Sequence, residues 1–352
     1  AEHPKFVEQA QHLAADFAAR KEADWVIEVY AGLLETLPEH DRAIRFHAGL
    51  TKAVIQKGSL DEADILVDLL ERDYQSRPDY AGVVNDLGET YRTQKEYARA
   101  INVFRKTLAA ESSQEDALTA YAGIAKAGVW LSNKTIDPNT FEVYEMDQNI
   151  AAIEEMDPNS FEASKADPNN PLIAEVDPNV LSQNDIAVDS IIQKLIAHYE
   201  DIQRQDYRVF EIAEEYYFRG QKAILTGNKQ RVQSDMTRAV EVWEKNLTSY
   251  ADSGYQCLMY FFMAGAYQRM ESYETAIHYY QKVIHEWPQF EKNWFAQYMI
   301  VECNDDMYIK EMLTEEDAKI RVIEACRELL EHYPDCKVSE FVQGMLRKYE
   351  AM

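Results

Sequence analysis

The sequence lacks long apolar runs and is poor in basic residues. No window holds 18 consecutive apolar residues, so the sequence predicts no membrane-spanning helix. The 36 Lys and Arg face 62 Asp and Glu, which gives a formal net charge of −26. This shortage of cations argues against nucleic acid and anionic membrane surfaces as partners, because both attract Lys and Arg. It favours a basic or neutral protein partner.

The sequence also lacks the motifs that mark catalytic and cofactor sites. Its eight His form no HExxH motif, and no GxGxxG, GxxxxGKS/T or GxSxG motif occurs. We therefore predict that the protein is not an enzyme, and that it holds neither a cofactor nor a metal ion.

Cysteine is scarce, and no CxxC pair or zinc-site spacing occurs among Cys257, Cys303, Cys326 and Cys336. We expect buried thiols, although Cys326 and Cys336 would pair if they lay on successive helices in an oxidising compartment. The chain begins at Ala1 without Met, as expected of a mature exported protein or of a shortened chain. This favours the periplasm or the cell surface over the cytoplasm.

Glycine and proline are few, and their positions punctuate the chain. There are 12 Gly and 10 Pro, and five of the Pro fall in one acidic stretch. Four others each end a long amphipathic run, as expected at the end of a helix: Pro38, Pro78, Pro288 and Pro334. The remaining sequence is therefore predicted to be helical.

A period of 34 residues is clearest in the window that begins at Ala81. Its small residues would let two helices of one pair approach closely, and its large residues would fill the gap between pairs. Places 7, 8, 11, 20 and 24 of this window hold Leu87, Gly88, Tyr91, Ala100 and Phe104. This pattern resembles the tetratricopeptide repeat, a pair of helices that stacks into a solenoid.

Other windows repeat the pattern with fewer matches. They begin at Val7, where Leu13 takes place 7, at Ile44, and at Cys257, where Tyr267 and Tyr280 take places 11 and 24. The C-terminal windows are similar in style to the repeats of bacterial cell-envelope tetratricopeptide proteins. A half repeat begins near Glu115.

Two further helix pairs and a final helix are irregular. Residues 210–253 predict a helix pair with a lengthened turn. The pair that ends near residue 333 is predicted to contain an inserted turn over 304–315. Residues 337–351 read as a capping helix, which covers the last apolar face of a solenoid. The predicted fold is therefore an all-α, right-handed solenoid. Its predicted blocks are 1–130, an insertion over 131–189, and 190–352.

The insertion carries a ten-residue repeat that the solenoid pattern does not explain. Asp-Pro-Asn starts at 137, 157, 167 and 177, and Asp-Gln-Asn at 147; residues 137–186 hold 12 acids and one base. Asp followed by Pro favours a helix start or a type I turn. Three interpretations stay open: turns with one-turn helices, a disordered acidic arm, and calcium binding. Apolar residues of the repeat are candidate contacts for a partner: Phe141, Ile153, Phe161 and Ile173.

The resemblance implies that the first helix of each repeat lines a groove that holds a protein ligand. The implied partner-facing residues are Asn85, Glu89, Arg92, Phe261, Gln268 and Arg269. Because Glu89 would repel a terminal carboxylate, the groove suits a helix or an extended peptide better. We therefore expect a scaffold or assembly subunit that binds a protein partner. A structural subunit of a repeating envelope or filament assembly, with self-association, and a calcium-binding or enzymatic protein are the alternatives.

Overall fold

The computed structural model describes residues 4–131, 134–136, 143–145, 183–198 and 205–352. The chain forms two compact units, Ala1–Gln205 and Asp206–Met352. Fifteen helices and one two-stranded antiparallel sheet lie within the described ranges.

Unit 1 is built from helix pairs in which a helix A is followed by a helix B. The helices are α1 (Pro4–Ala19), α2 (Ala23–Thr36), α3 (Ala43–Lys57), α4 (Leu60–Tyr74), α5 (Tyr80–Thr93), α6 (Tyr97–Ala109), α7 (Gln114–Trp130) and α8 (Gln183–His198). Two short strands, β1 (Lys134–Ile136) and β2 (Val143–Glu145), pair between α7 and α8. Successive helices A also pack on one another where α3 meets α5 and where α5 meets α7.

Unit 2 continues the same pattern with longer helices. They are α9 (Gln205–Leu225), α10 (Lys229–Ser249), α11 (Gln256–Arg269), α12 (Tyr273–Glu286), α13 (Asn293–Ile309), α14 (Glu315–His332) and α15 (Ser339–Ala351). The final helix packs on α14 and buries Val342 and Tyr349, as predicted for a capping helix. The all-α solenoid prediction is thus confirmed.

The side chain of Phe104 shows why the small residues of the repeat are needed. The ring of Phe104 is buried between the backbones of α5 and α7. A Cβ atom added at Gly88 would lie 2.7 Å from this ring, and one added at Gly123 would lie 2.3 Å from it. Tyr91 and Ala100 are fully buried beside it. The predicted division between small and large places of the repeat is therefore confirmed here.

Each described turn from a helix A to a helix B contains one residue whose backbone is in the left-handed region. In the described pairs these residues have φ between 59° and 87°: Lys21, Gly58, Lys95, Gly227, Glu271 and Glu311. The turn after α5 is closed by the N–H of Glu96, which donates to the carbonyl of Tyr91 at 3.0 Å. This six-to-one bond is the Schellman pattern that ends a helix. Four of these turns thus place a side chain in a backbone region that favours glycine.

We expect Lys95→Gly to stabilise unit 1. Lys95 holds φ at 66°, where a Cβ atom costs about 1 kcal/mol and glycine costs little. The gain should reach about 0.5–1 kcal/mol in the free energy of unfolding, measured by urea denaturation followed by circular dichroism. Gly58→Ala is the matched control, since Gly58 has φ of 87° and open space around its Cα, and this change should destabilise. A loss of stability in Lys95→Gly would contradict the expectation.

The predicted lengthened turn within 210–253 and the predicted inserted turn over 304–315 are both wrong, because most of the residues assigned to them belong to helices. The turn between α9 and α10 covers only residues 226–228, and each of these helices has 21 residues. Gly227 ends the first helix in the left-handed region, and the side chain of Asn228 caps the second by accepting from the N–H of Arg231 at 2.9 Å. Residues 304–309 likewise extend α13, which leaves a turn of 310–314.

The insertion separates a helix A from its own helix B. Helix α8 packs on α7 and completes the half repeat that begins near Glu115. The buried Asn184 ties this place together: its Oδ1 accepts from the N–H of Ile136 at 3.0 Å, and its Nδ2 donates to the carbonyl of Leu131 at 2.9 Å. Unit 1 therefore extends to residue 205 and includes residues that the sequence assigned to the insertion and to the C-terminal block. The physical reason is that Asn184 of α8 bonds Leu131, at the end of α7, and Ile136 of β1, which holds α8 within unit 1.

The first ten-residue unit contains a short strand. In β2, Val143 pairs with Ile136 of β1, where one of the three interpretations placed turns and a one-turn helix. The remaining units, from residue 146 to 182, lie outside the described residues.

Candidate functional site

A cleft of about 570 Å³ opens on the helix A side of unit 1. Arg45, Gly82 and Asp116 hold the second place of three successive repeats and lie side by side along it. The frames of the 34-residue period could have identified Arg45 and Asp116, which the sequence analysis missed. Further lining residues are Tyr30, Gly49, Lys52, Asp79 and Asp86.

The charges of this cleft largely neutralise one another. Lys52 donates to the carboxylate of Asp86 at 3.0 Å. Asp116 is held by Ser113 at the start of α7, where the Ser113 hydroxyl donates to it at 2.6 Å. Among the described residues, no carboxylate lies within ion-pair distance of the exposed Arg45. The cleft therefore offers one free cation beside paired charges.

The predicted residues Asn85, Glu89 and Arg92 are engaged within the unit. Asn85 is buried, and its Nδ2 donates to the carbonyl of Asp116 at 2.9 Å, which joins α5 to α7. The guanidinium of Arg92 donates to both carboxylate oxygens of Glu89, at 2.9 and 2.6 Å. Burial raises the pKa of Glu89, but the bond from Arg92 and the charges of Lys126 and Arg92 outweigh it, so the net shift is downward. These residues brace the helices of unit 1.

In unit 2, five aromatic side chains form a continuous band along the helix A side. Ring centroids lie 5.5 Å apart for Phe261 and Phe290, 6.1 Å for Phe261 and Phe295, and 6.2 Å for Phe295 and Tyr298. Tyr298 then lies 6.2 Å from Phe341 of α15, whose side chain is 56% exposed. The predicted anchor Phe261 is therefore half-buried within this aromatic band, and Phe341 is its exposed end.

An acidic row on α13 continues from the band. It consists of Glu302, Asp305 and Asp306, within two turns after Tyr298. Burial raises the pKa of Glu302; the charges of Asp306 and Asp305 add to this, and a hydrogen bond from Tyr298 opposes it. Burial and the charge of Asp305 also raise the pKa of Asp306. Lys348 lies 3.5 Å from Asp305, and Lys310 and Arg269 oppose the rise in the pKa of Asp306, so the row is partly neutralised and Glu302 is the member that favours an added positive charge.

The stability of unit 2 should respond to the repulsion between Glu302 and its acidic neighbours. The folded state holds a proton on Glu302 more tightly than the unfolded chain does, so stability falls as pH rises through the raised pKa. We expect Glu302→Gln to raise the melting temperature at about pH 7.5, and the gain to shrink toward about pH 5. The control is Glu324→Gln, at an exposed position of α14. A gain for Glu302→Gln that did not depend on pH would contradict the expectation.

The other two predicted groove residues of unit 2 differ in exposure. Gln268 is buried, and its Oε1 accepts from the hydroxyl of Tyr280 at 3.5 Å. Arg269 is exposed, and its charge opposes the rise in the pKa of Tyr217 that burial causes. Of this pair, Arg269 alone is open to a ligand. The predicted contacts Phe141, Ile153, Phe161 and Ile173 lie outside the described residues.

Thiol and metal chemistry find little support in the described ranges. All four cysteines are free, and burial raises the pKa of Cys257 to about 11 and those of Cys303 and Cys326 to about 12. In the part of the chain that the structure describes, no three His, Cys, Asp or Glu side chains are placed to hold a metal ion. No described helix is both long enough and apolar enough to cross a membrane.

Comparisons with known proteins agree with this geometry. Tetratricopeptide repeat family models match residues 85–118 in unit 1 and 259–284 in unit 2. No curated protein matches the chain significantly.

Solved structures of tetratricopeptide repeat proteins are similar at low identity. One from Parabacteroides merdae is 12% identical with a TM-score of 0.41, covering 97% of this chain and 98% of that chain. The C-terminal part of one from Cytophaga hutchinsonii is 12% identical with a TM-score of 0.41, covering 94% and 98%. The chain thus contains a matched tetratricopeptide repeat in each of its two units.

Proposed function

We propose that the chain is a non-enzymatic scaffold or assembly subunit that holds a protein partner in the helix A groove of unit 2. One observation carries this: the aromatic band, ending in the exposed Phe341, runs directly into the acidic row. A partner segment with aromatic or aliphatic anchors next to Lys or Arg complements both surfaces. Such a segment agrees with the net charge of −26.

The groove of unit 2 suits this role better than the cleft of unit 1. In unit 1, the carboxylates of Glu89 and Asp86 already have basic partners. In unit 2, the charges acting on Glu302 are those of Asp305 and Asp306, while Asp306 also lies near Lys310 and Arg269. Covering the exposed part of Phe341 would add about 1.4 kcal/mol to binding, which corresponds to a factor of ten in Kd.

Selection of peptides from a random displayed library against the full chain tests the proposal. We expect the selected peptides to combine aromatic residues with Lys or Arg. Phe341→Ala and Glu302→Gln should each weaken a selected peptide by about tenfold. Phe6→Ala is the matched control, because Phe6 is 51% exposed but lies in unit 1. Acidic peptides, or equal binding to the Phe341→Ala variant, would refute the proposal.

We also propose that the acidic insertion adds a second contact to the same partner. Its ends are held together by Asn184, so residues 137–182 can be removed and Ile136 joined to Gln183 through a short Gly-Ser link. We expect this deletion, which also removes β2, to keep the helical circular dichroism signal and most of the thermal stability, while the protein partner binds less tightly. Unchanged partner affinity would show that the insertion is passive in binding.

A further inference from the structure

A second cleft, of about 650 Å³, opens on the helix B side of unit 2. It lies between α12 and α14, and a side chain of α13 forms its floor. This helix B cleft shares none of its lining residues with the aromatic band or the acidic row. Its lining residues are His278, Gln281, Lys282, Ile284, His285, Glu286, Gln297, Glu328, His332 and Tyr333.

The preceding helix pair fills the corresponding space with its own side chains. Tyr260 is the fifth residue of α11, as Gln297 is of α13. The ring of Tyr260 stacks on Tyr279 with centroids 5.8 Å apart, and the ammonium of Lys282 lies 4.4 Å from its centroid. Lys282 is also paired with a carboxylate of its own helix, Glu286, at 3.2 Å. This pair therefore supplies both an aromatic filler and a cation.

The helix B cleft has acceptors where the preceding pair has the ring and the cation. Gln297 replaces Tyr260, and Glu328, six residues before Pro334, replaces Lys282, six residues before Pro288. The replacement leaves open space above Gln297 instead of a stacked ring. It also adds the negative charge of Glu328 to a cleft in which Lys282 is already paired with Glu286.

The amide of Gln297 has one unused acceptor. Gln297 is only 5% exposed, and its Nε2 donates to Glu328 Oε2 at 3.0 Å and to the carbonyl of Ala325 at 3.4 Å. Within the described ranges, its Oε1 receives no hydrogen bond, and Glu328 has no ion-pair partner. This oxygen is not sealed from solvent, so the floor of the cleft offers an acceptor to a donor from outside.

We propose that the helix B cleft binds the guanidinium group of an arginine presented by a basic protein partner. A guanidinium is planar and has five N–H donors, so one edge can bond Glu328 while another N–H reaches Gln297 Oε1. The flat rings of His278, His332 and Tyr333 offer faces against which it can stack. An ammonium has neither the plane nor the forked donors. This site is separate from the helix A groove and does not depend on the function proposed there.

Titration of the full chain with Nα-acetyl-arginine methylamide tests the site directly. The side-chain amide signal of Gln297, assigned with the Gln297→Leu variant, is followed by nuclear magnetic resonance at physiological salt. We expect saturable shifts of this signal with the arginine compound and none with the uncharged citrulline analogue. The lysine analogue should bind at least about fivefold more weakly. Equal shifts with lysine would overturn the guanidinium assignment.

Two variants on the same helix separate the site from general attraction to an acidic protein. Glu328→Gln should weaken the arginine compound by about tenfold. Glu331→Gln removes the same charge at an exposed position of α14 outside the cleft, and it should leave the affinity unchanged. Shifts that do not saturate, or that fall equally in both variants, would overturn the proposal. Neither variant alters the aromatic band, so a negative result for the arginine site would not contradict the proposed function of the helix A groove.

Discussion

Gly123→Ala should strongly destabilise unit 1, although alanine is the better helix former. The added Cβ would lie 2.3 Å from the ring of Phe104, a distance that real Cβ atoms do not show. The ring has little room to move, because Gly88 of α5 also lies against it. We expect a loss of about 3 kcal/mol in the free energy of unfolding, at the upper end for overpacking of a core. Urea denaturation followed by circular dichroism measures it.

Two controls isolate the clash from helix propensity. Gly32 lies inside α2 with open space around it, so Gly32→Ala should stabilise by about 0.5–1 kcal/mol. Phe104→Leu removes ring atoms, so in the Gly123→Ala background it should cost much less than in the wild-type chain. If Gly123→Ala behaved like Gly32→Ala, close packing of α5 and α7 around Phe104 would not be what holds this repeat together.

Asp235→Ala should have the largest effect in unit 2. The carboxylate of Asp235 is fully buried and accepts from Arg219 at 2.5 and 2.9 Å, with Arg231 3.3 Å away. Removing it takes both of these hydrogen bonds from the largely buried guanidinium of Arg219. Breaking a buried pair in this way typically costs about 3–5 kcal/mol. Thermal and urea unfolding of the full chain, followed by tryptophan fluorescence of the buried Trp243, reports the loss.

A double variant tests whether charge or packing is responsible. Asp235→Leu combined with Arg219→Met removes both charges and keeps apolar volume, so it should recover most of the stability lost in Asp235→Ala. Glu350→Ala removes an exposed partner of Arg327 and should cost about 0.5 kcal/mol or less. A double variant as unstable as Asp235→Ala would show that the shape of the pair, and not its charge balance, matters.

The repeat period allowed much of the fold to be predicted because it records packing between neighbouring helices. Gly88, Ala100 and Phe104 each hold the contact that their place requires. Leu13 has the same place as the buried Leu87 but is 46% exposed, because no described helix precedes α1 to cover it. A sequence period predicts the helix face on which a residue lies. Whether that face is buried depends on whether a neighbouring helix packs against it.

The candidate sites were predicted less well, because their chemistry depends on distant partners. The frame placed Asn85 on the groove side, but it did not show that the amide bonds a backbone carbonyl 31 residues away. Gln297 and Glu328 were missed because the groove alone was considered. Alignment of the last two helix pairs on Pro288 and Pro334 shows the exchange of Lys282 for Glu328, so the signal was present in the sequence.

The long connection that precedes Asn184 also has a consequence for the order of folding. Helix α8 joins α7 through a connection of 52 residues, where other pairs of unit 1 use two or three. The entropy of closing a chain grows with its length, so docking α8 costs about 2.5 kcal/mol more than docking a helix B after a three-residue turn. The fourth pair should therefore form late in folding and open early. Its buried amides should exchange hydrogen with solvent sooner than those of α6, and the insertion would sit at the place where the solenoid first comes apart.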